Sequence, residues 1–452
     1  MQKIRNILER IGLDGAVFYT VLGRVIQGGG GLISIFFITN YLSKIEQGYF
    51  YTFSSLVAIQ VFFELGFTGI VTQYVAHEFA YLRIGKDFKI EGDLQYKSRL
   101  SSLFRFCVKW YVIISLLLFC LLLIIGNVFF SKYRGESTVQ WSFPWMLLAL
   151  ATSINLFFSP LLSFMEGINL IKYVAQIRLI QKSVQLFILF ALLMMGCKLY
   201  SVAISLMISS LIFPFLFFLS KNKNIFLALW KERGEWSVSY KREIFPLQWK
   251  IALSWISGYF VYQLFNPVVF ATSGAVVAGQ MGVTIAVLGG VSTIFMSWMN
   301  TKVPMFSSFI AKREYKMLDI AFKKNLIQTL VATLVGLLIV VIAVAFLRYF
   351  KISYANRFLS MELFVLLSIA TFFNQVVSSL ALYLRCHKKE PLLIYSIVLG
   401  ILTGGGTLFF GNKYGVDGVV ISYTFFVVVI GFPWVYNVFK TKRQNGTKSK
   451  YR

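Results

Sequence analysis

Long apolar runs recur along the chain with short polar breaks between them. They fall near 17–42, 48–76, 105–131, 142–165, 172–196, 200–220, 246–271, 276–300, 324–350, 360–385, 391–411 and 415–439. Each run reaches the roughly 20 mostly apolar residues that a helix needs to cross a bilayer. Inside lipid the backbone must satisfy its own polar groups, so a helix is the economical choice for every span. The pattern therefore predicts an all-α polytopic membrane protein with about twelve transmembrane helices. Composition agrees, with 58% hydrophobic and only 14% charged residues over 452 positions.

Lysine and arginine placement sets the orientation. With the N-terminus inside, the inner segments hold 32 of these cations and the outer loops 8, which is a strong positive-inside bias. Both termini are then cytoplasmic. The formal charge of +26 is thus explained by topology and by attraction to an anionic inner leaflet, not by nucleic-acid binding.

The chain also repeats itself. Ala151-Thr152-Ser153-Ile154-Asn155 returns as Ala370-Thr371-Phe372-Phe373-Asn374, and Phe213-Pro214 returns as Phe432-Pro433, both 219 residues on. Two matches at one offset in corresponding spans point to a parallel repeat of six helices. The expected division is an N-lobe over 1–222, a connector over 223–245 and a C-lobe over 246–452. The connector mixes charges with Ile225, Phe226, Leu229 and Trp230, as a helix lying on the inner membrane surface would.

Polar residues within the spans are the candidates for function, because an ionisable group at that depth is tolerated only toward protein or a wet cavity. In the first span Arg24, Gln27, Gly28 and Gly31 share one helical face. Two readings stand: an arginine snorkelling to the near interface, or a cation lining an internal cavity on a helix that the glycines allow to bend. In the fifth span Arg178, Gln181, Lys182 and Gln185 form a polar stripe, whereas the positions 219 further on are Ile397 and Ile401. That asymmetry suggests binding in one lobe. Arg24, Lys302, Arg178 and Lys182 lie toward the inner third of their helices, where they would make an anion-attracting vestibule; Lys109 and Lys250 read as ordinary helix-end lysines. Glu64 is the lone acid well inside a span. It either pairs with Arg24 or serves a coupling cation or proton. Glu166 and Glu362 sit at helix ends and read as structural, and Asn266-Pro267 predicts a break in the seventh span.

Other chemistry is absent from the pattern. Cys107, Cys120, Cys197 and Cys386 have no paired spacing, and His77 and His387 are the only histidines. Neither a disulfide framework nor a metal site is indicated. There is no phosphate loop, no histidine–carboxylate pair and no serine elbow, and no outer loop is long enough for a catalytic domain. The first sixteen residues carry Lys3, Arg5 and Arg10 without a cleavage-like site, so no removable signal peptide is expected.

Several motifs resemble those of bacterial polysaccharide flippases. Gly48-Tyr49-Phe50 through Glu64-Leu65-Gly66-Phe67 to Gln73-Tyr74-Val75-Ala76 resembles their second helix. Ala278-Gly279-Gln280-Met281-Gly282, with Pro304 and Phe309-Ile310-Ala311-Lys312, resembles their eighth helix and the loop after it. Tyr414-Gly415-Val416-Asp417-Gly418 resembles the start of their twelfth. The likeness runs over nearly the whole chain and is to the O-antigen (Wzx-type) branch of the multidrug/oligosaccharidyl-lipid/polysaccharide (MOP) exporter superfamily. It implies two six-helix lobes that open alternately to either side of the bacterial inner membrane. It also implies an undecaprenyl-diphosphate-linked glycan as substrate, moved for O-antigen, lipopolysaccharide, capsule or exopolysaccharide assembly. Membrane lipids and other polysaccharide-assembly proteins are the implied partners, with no cofactor and no catalysis of its own. Lipid II flippases of the superfamily usually carry two further helices, which this chain lacks. A drug exporter of the superfamily is the nearer alternative, and an integral membrane enzyme of glycan assembly the more distant one.

The charge asymmetry makes a direct prediction. Reporter fusions after Arg452 and within residues 85–100 should both report a cytoplasmic location, and an outside signal at either would overturn the orientation.

Overall fold

A computed structural model describes residues 15–85, 88–133, 135, 138–232, 234–387 and 392–448. Apart from one two-stranded hairpin, its regular elements are helices. Among the described residues nine helical runs are long and apolar enough to cross a membrane. Two of these are too long for one crossing. Gln248–Ile310 has 63 residues and Leu393–Arg443 has 51, which at the helical rise is about 95 and 75 Å against a hydrocarbon core of about 30 Å. Each is divided by a glycine in a backbone region open only to glycine, Gly274 at φ 86° and Gly415 at φ 60°. Each therefore holds two spans. With the 27-residue helix α1 (Gly15–Tyr41) the total is twelve, the all-α polytopic architecture that the apolar pattern predicts.

The first half of the chain continues with a broken second span. It is made of α2 (Lys44–Val57), α3 (Val61–Glu64) and α4 (Phe67–Phe79). A hairpin follows, β1 (Leu82–Ile84) against β2 (Ile90–Gly92), antiparallel with Arg83 opposite Glu91. Then come α5 (Leu94–Tyr133), α6 (Ser142–Gly167), α7 (Ile171–Met194), α8 (Tyr200–Leu219) and the short α9 (Lys223–Lys231). A π-turn over Tyr240–Ile244 leads into the second half: α10 (Phe245–Tyr262), α11 (Phe265–Asn300), α12 (Val303–Ala311), α13 (Tyr315–Tyr349), α14 (Met361–Cys386), α15 (Leu393–Phe425) and α16 (Phe432–Lys448). The most apolar spans, α5 and α13, are also among the least buried, with 22% and 17% of their most apolar windows inside the protein. That marks them as lipid-facing.

Where the helices break is decided by backbone chemistry. The four glycines of α1 leave the helix continuous, because glycine permits a bend without forcing one. Gly30 serves close packing instead, since an added Cβ there would overlap Leu186 of α7. The second span does break, at Leu65 (φ 49°) and Gly66 (φ 67°), two successive left-handed residues directly after Glu64. The seventh span breaks as expected, between Tyr262 and Phe265. Pro267 stands in the first turn of α11, where its missing N–H is no loss. The two prolines of the repeat behave differently: Pro214 lies inside α8, while Pro433 follows a π-turn over Phe426–Gly431.

Packing divides the chain into two units. The first takes in Met1–Gly30, Leu56–Lys132 and Thr138–Trp255, through their described residues. Its core includes a cluster of rings in which Phe226 of α9 meets Phe104, Phe164 and Phe217 at centroid distances of 5.3, 5.8 and 5.3 Å. Ile225, Phe226 and Leu229 are thereby buried against protein, and Leu227 and Trp230 are the apolar side chains of α9 left exposed. The connector helix thus uses one apolar face to complete a core. The second unit takes in Gly31–Ser55, Tyr133–Ser137 and Ile256–Arg452, again through their described residues. There the buried amide of Gln47 donates to the Gly279 carbonyl at 2.8 Å and accepts from Arg357 at 3.2 Å.

An ion cluster ties three elements of the first unit together. Arg99 Nη2 of α5 lies 3.0 Å from the buried Glu78 of α4 and 2.6 Å from Glu243 in the π-turn. Tyr74 donates to the Glu243 carbonyl, and Ser98 donates to the Trp236 carbonyl at 2.7 Å. Burial alone would raise the Glu243 carboxyl, but the Ser239 amide and the Arg99 guanidinium outweigh it and hold the group below its ordinary value. A depressed pKa gives stability that is complete above the unfolded value of about 4.3 and is lost as pH falls through the folded value. Glu243→Gln should therefore lower the Tm of the purified protein at pH 7 by about 2–4 °C, the effect of roughly 1 kcal/mol in a unit of this size. The difference should begin to shrink near the unfolded value of about pH 4.3 and vanish only below the depressed folded value. An equal deficit at pH 7 and below that folded value would show that the carboxylate's charge is not what holds the cluster.

Candidate functional site

The fifth span, α7, has a buried face and a polar face. Val174, Ile177, Leu189 and Leu193 are buried on the first. Arg178, Gln181, Lys182 and Gln185, spaced three, four and seven apart, fall on the second because the helix advances 3.6 residues per turn. All four line one cavity of about 600 Å³ within the first unit. Its other walls come from Tyr19, Thr20 and Gly23 of α1, Gln60 of the second span, Thr152 and Asn155 of α6, and Ser209 of α8.

The four stripe residues do different things. Gln181 is committed to helix pairing: its amide donates to the Ser209 carbonyl at 3.2 Å, and Ser209 Oγ donates back to the Gln181 carbonyl at 3.0 Å. Lys182 Nζ donates to Gln185 Oε1 at 3.4 Å. Arg178 Nη2 lies 3.1 Å from Glu166 Oε1, with the arginine side chain 53% exposed. Among the described residues, two cations and one carboxylate thus face the cavity, an excess of positive charge in a space wide enough for water or a ligand. Such a pocket attracts an anion, and a guanidinium can hold two of its oxygens at once. An arginine and a lysine at this depth are tolerable because a cavity replaces lipid around them.

The remaining sequence candidates are placed as follows. Arg24 and Gln27 lie on α1, but their side chains fall outside the described residues. Glu64 ends α3 at the left-handed break and accepts a hydrogen bond from Thr68 Oγ1 at 2.6 Å; it does not line the cavity. Lys302 belongs to the second unit, where it directly precedes α12 without a side-chain capping bond, and is likewise not a lining residue of this cavity. Glu166, a helix-end acid in the sequence pattern, faces the cavity and partners Arg178. Its position four residues before Leu170, where α6 gives way to α7, hides that role, since only the tertiary turn brings it to Arg178. Thr152 and Asn155 belong to the repeated motif, and that repetition is the one sequence signal that marks them.

No protein-family model matches the chain, and no curated protein sequence matches it. Solved structures do share its fold. One is an inward-facing multidrug resistance MATE family transporter of the MOP superfamily, 13% identical, with 93% of this chain and 99% of that chain covered and a TM-score of 0.57. Another is the lipid II flippase MurJ in an inward closed conformation, 15% identical, with 96% and 90% covered and a TM-score of 0.57. A third is the MATE multidrug transporter DinF-BH, 12% identical, with 94% of each chain covered and a TM-score of 0.56. At these identities the likeness is one of fold: the chain is a multi-pass membrane protein with the fold of MOP-superfamily transporters.

The Arg178–Glu166 pair makes the cavity testable on its own. A half-exposed pair contributes roughly 0–1 kcal/mol, so Glu166→Gln should leave the Tm nearly unchanged. Freed of its carboxylate, Arg178 should raise pyrophosphate affinity about threefold or more, read by calorimetric titration of purified protein. Weaker pyrophosphate binding in Glu166→Gln would show that the carboxylate organises the site and does not compete for it.

Proposed function

We propose that this chain is a flippase that moves undecaprenyl-diphosphate-linked oligosaccharide from the inner to the outer leaflet of a bacterial inner membrane by alternating access. The observation that carries the reading is the cationic cavity of about 600 Å³ with Arg178 and Lys182 on its wall. A diphosphate is a dense anion, and charge-assisted contacts from a guanidinium and an ammonium suit it. In this reading Arg178 and Lys182 hold the diphosphate and Gln185 adds a hydrogen bond. Arg24 and Gln27 follow Thr20 and Gly23 of the lining by four residues in sequence, and we assign them to the same substrate. Lys302, which the sequence pattern sets toward the cytoplasmic end of its own span, is assigned a general attraction for anions. Glu64, at the left-handed break in the second span, is the residue we assign to a coupling proton or cation. Both termini are cytoplasmic in this arrangement.

The rival reading, a small-molecule exporter, draws on the fold shared with MATE transporters. The surplus of cations on the cavity wall favours an anionic cargo over a cationic drug.

Proteoliposomes carrying labelled lipid-linked oligosaccharide test the proposal. Losing one charge-assisted contact to a bound anion costs about 1.5–3 kcal/mol, or roughly ten- to a hundredfold. Arg178→Ala with Lys182→Ala should cut flipping by at least that factor while the protein stays in the membrane. Arg24→Ala should nearly abolish it, and Arg24→Lys should restore part. Wild-type flipping by the double variant would sink the assignment of the stripe. A wild type that exports a cationic dye and moves no lipid-linked glycan would favour the exporter.

A further inference from the structure

The repeat that supplies Thr152 and Asn155 to the first cavity supplies Thr371 and Asn374 to another. This second cavity, of about 320 Å³, lies wholly within the second unit. It opens at the break in the seventh span, where α11 begins at Phe265. In both helices the threonine hydroxyl folds back on its own helix, Thr152 onto the Leu148 carbonyl and Thr371 onto the Leu367 carbonyl. The asparagine is left facing each space.

The two linings differ in charge. No lysine, arginine, aspartate or glutamate is among the described residues that line the second cavity. It is walled instead by the rings of Tyr51, Tyr262, Phe265 and Tyr423, interleaved with amides and hydroxyls. Phe265 and Tyr423 pack edge to face with centroids 4.7 Å apart, and Asn374 Nδ2 donates to the Tyr423 hydroxyl at 2.8 Å. Two lining groups have no hydrogen-bond partner although both are buried, Asn266 Oδ1 and Tyr51 Oη. Asn266 is 6% exposed. A buried carbonyl oxygen left unpaired is costly, and native proteins keep few of them. Both residues line this cavity, and a donor that reaches either oxygen would remove that cost.

We propose that this cavity is a second binding site, specific for an uncharged glycosyl unit. Sugar hydroxyls donate to Asn266 Oδ1 and both donate to and accept from Tyr51, while the C–H faces of the ring lie on the aromatic walls. With no cation on the wall the site has no hold on a diphosphate. With no carboxylate there it offers a metal ion or a cationic drug no charge partner. The proposal deepens the flippase reading, and rests on it for the claim that the sugar belongs to a lipid-linked glycan.

The test uses the full-length protein in lipid nanodiscs and calorimetric titration with two kinds of probe. These are the methyl glycosides of glucose, galactose, N-acetylglucosamine and rhamnose, and inorganic pyrophosphate. At least one glycoside should bind the wild type. Its affinity should fall about tenfold, the worth of one or two neutral hydrogen bonds, in Asn266→Leu and in Tyr51→Phe, and hold in the Arg178→Ala, Lys182→Ala double variant. Pyrophosphate should show the reverse pattern. Tyr51→Phe removes one oxygen and nothing else, so it keeps the test sound if the leucine variant folds poorly. If none of the four glycosides binds, or if binding ignores both substitutions, the cavity holds only water and the proposal falls. Glycoside binding without pyrophosphate binding would leave the second site standing and remove the support for the diphosphate reading.

Discussion

A helix interrupted inside a membrane leaves amides and carbonyls that lipid cannot satisfy, so irregular backbone survives there only beside protein or a wet cavity. That constraint governs the architecture of this chain. Two of its mid-span breaks, after Glu64 and after Tyr262, are also places where polar side chains gather. Glu64 accepts from Thr68 at the first, and Asn266 and Gln263 line a cavity at the second. The breaks and the intramembrane polar groups depend on each other. A polar group within a span needs a break, a neighbouring helix or a cavity face such as that of α7, and a break without polar company would be too costly to keep.

The same constraint separates the two cavities chemically. Both are built on an asparagine three residues after a threonine at corresponding places in the repeat. One carries Arg178 and Lys182, while Ile397 and Ile401 stand at the matching positions of the other half. A duplicated scaffold has thus been given one charged and one neutral interior. A cargo that is itself part anion and part polyhydroxylated would find both kinds of surface within a single chain.

Much of this is legible in the sequence, for reasons that differ from element to element. The spans are legible because a bilayer imposes a length and an apolar character that few other settings demand. The α7 stripe is legible because helical periodicity places Arg178, Lys182 and Gln185 on one face whatever surrounds them. The seventh-span break is announced by Pro267. The break at Leu65–Gly66 is not, since leucine gives no sign of a left-handed backbone and a lone glycine is common in membrane helices. The glycine run of α1 suggests a bend, yet the helix stays continuous and Gly30 within it serves close approach to Leu186. Glu166 escapes because its partner is fixed by the turn between α6 and α7, which no periodicity encodes. The apolar residues of α9 suit a membrane surface as well as a protein core. Distinguishing a lipid face from a core face needs the rings of Phe104, Phe164 and Phe217 in place.

The anchoring of Gln47 has a consequence for biosynthesis. Its side chain is satisfied by the Gly279 carbonyl and by Arg357, the latter 310 residues later in the chain. At about 5–20 residues per second, roughly 15–60 s separate the emergence of the amide from that of its last partner. During that interval the start of the second span carries a polar group that its finished environment buries. A protein of this design cannot settle its early helices as they are made. Their final seating waits on the end of synthesis, and the nascent chain's exposure to quality control is set by that delay and not by the hydrophobicity of any one span.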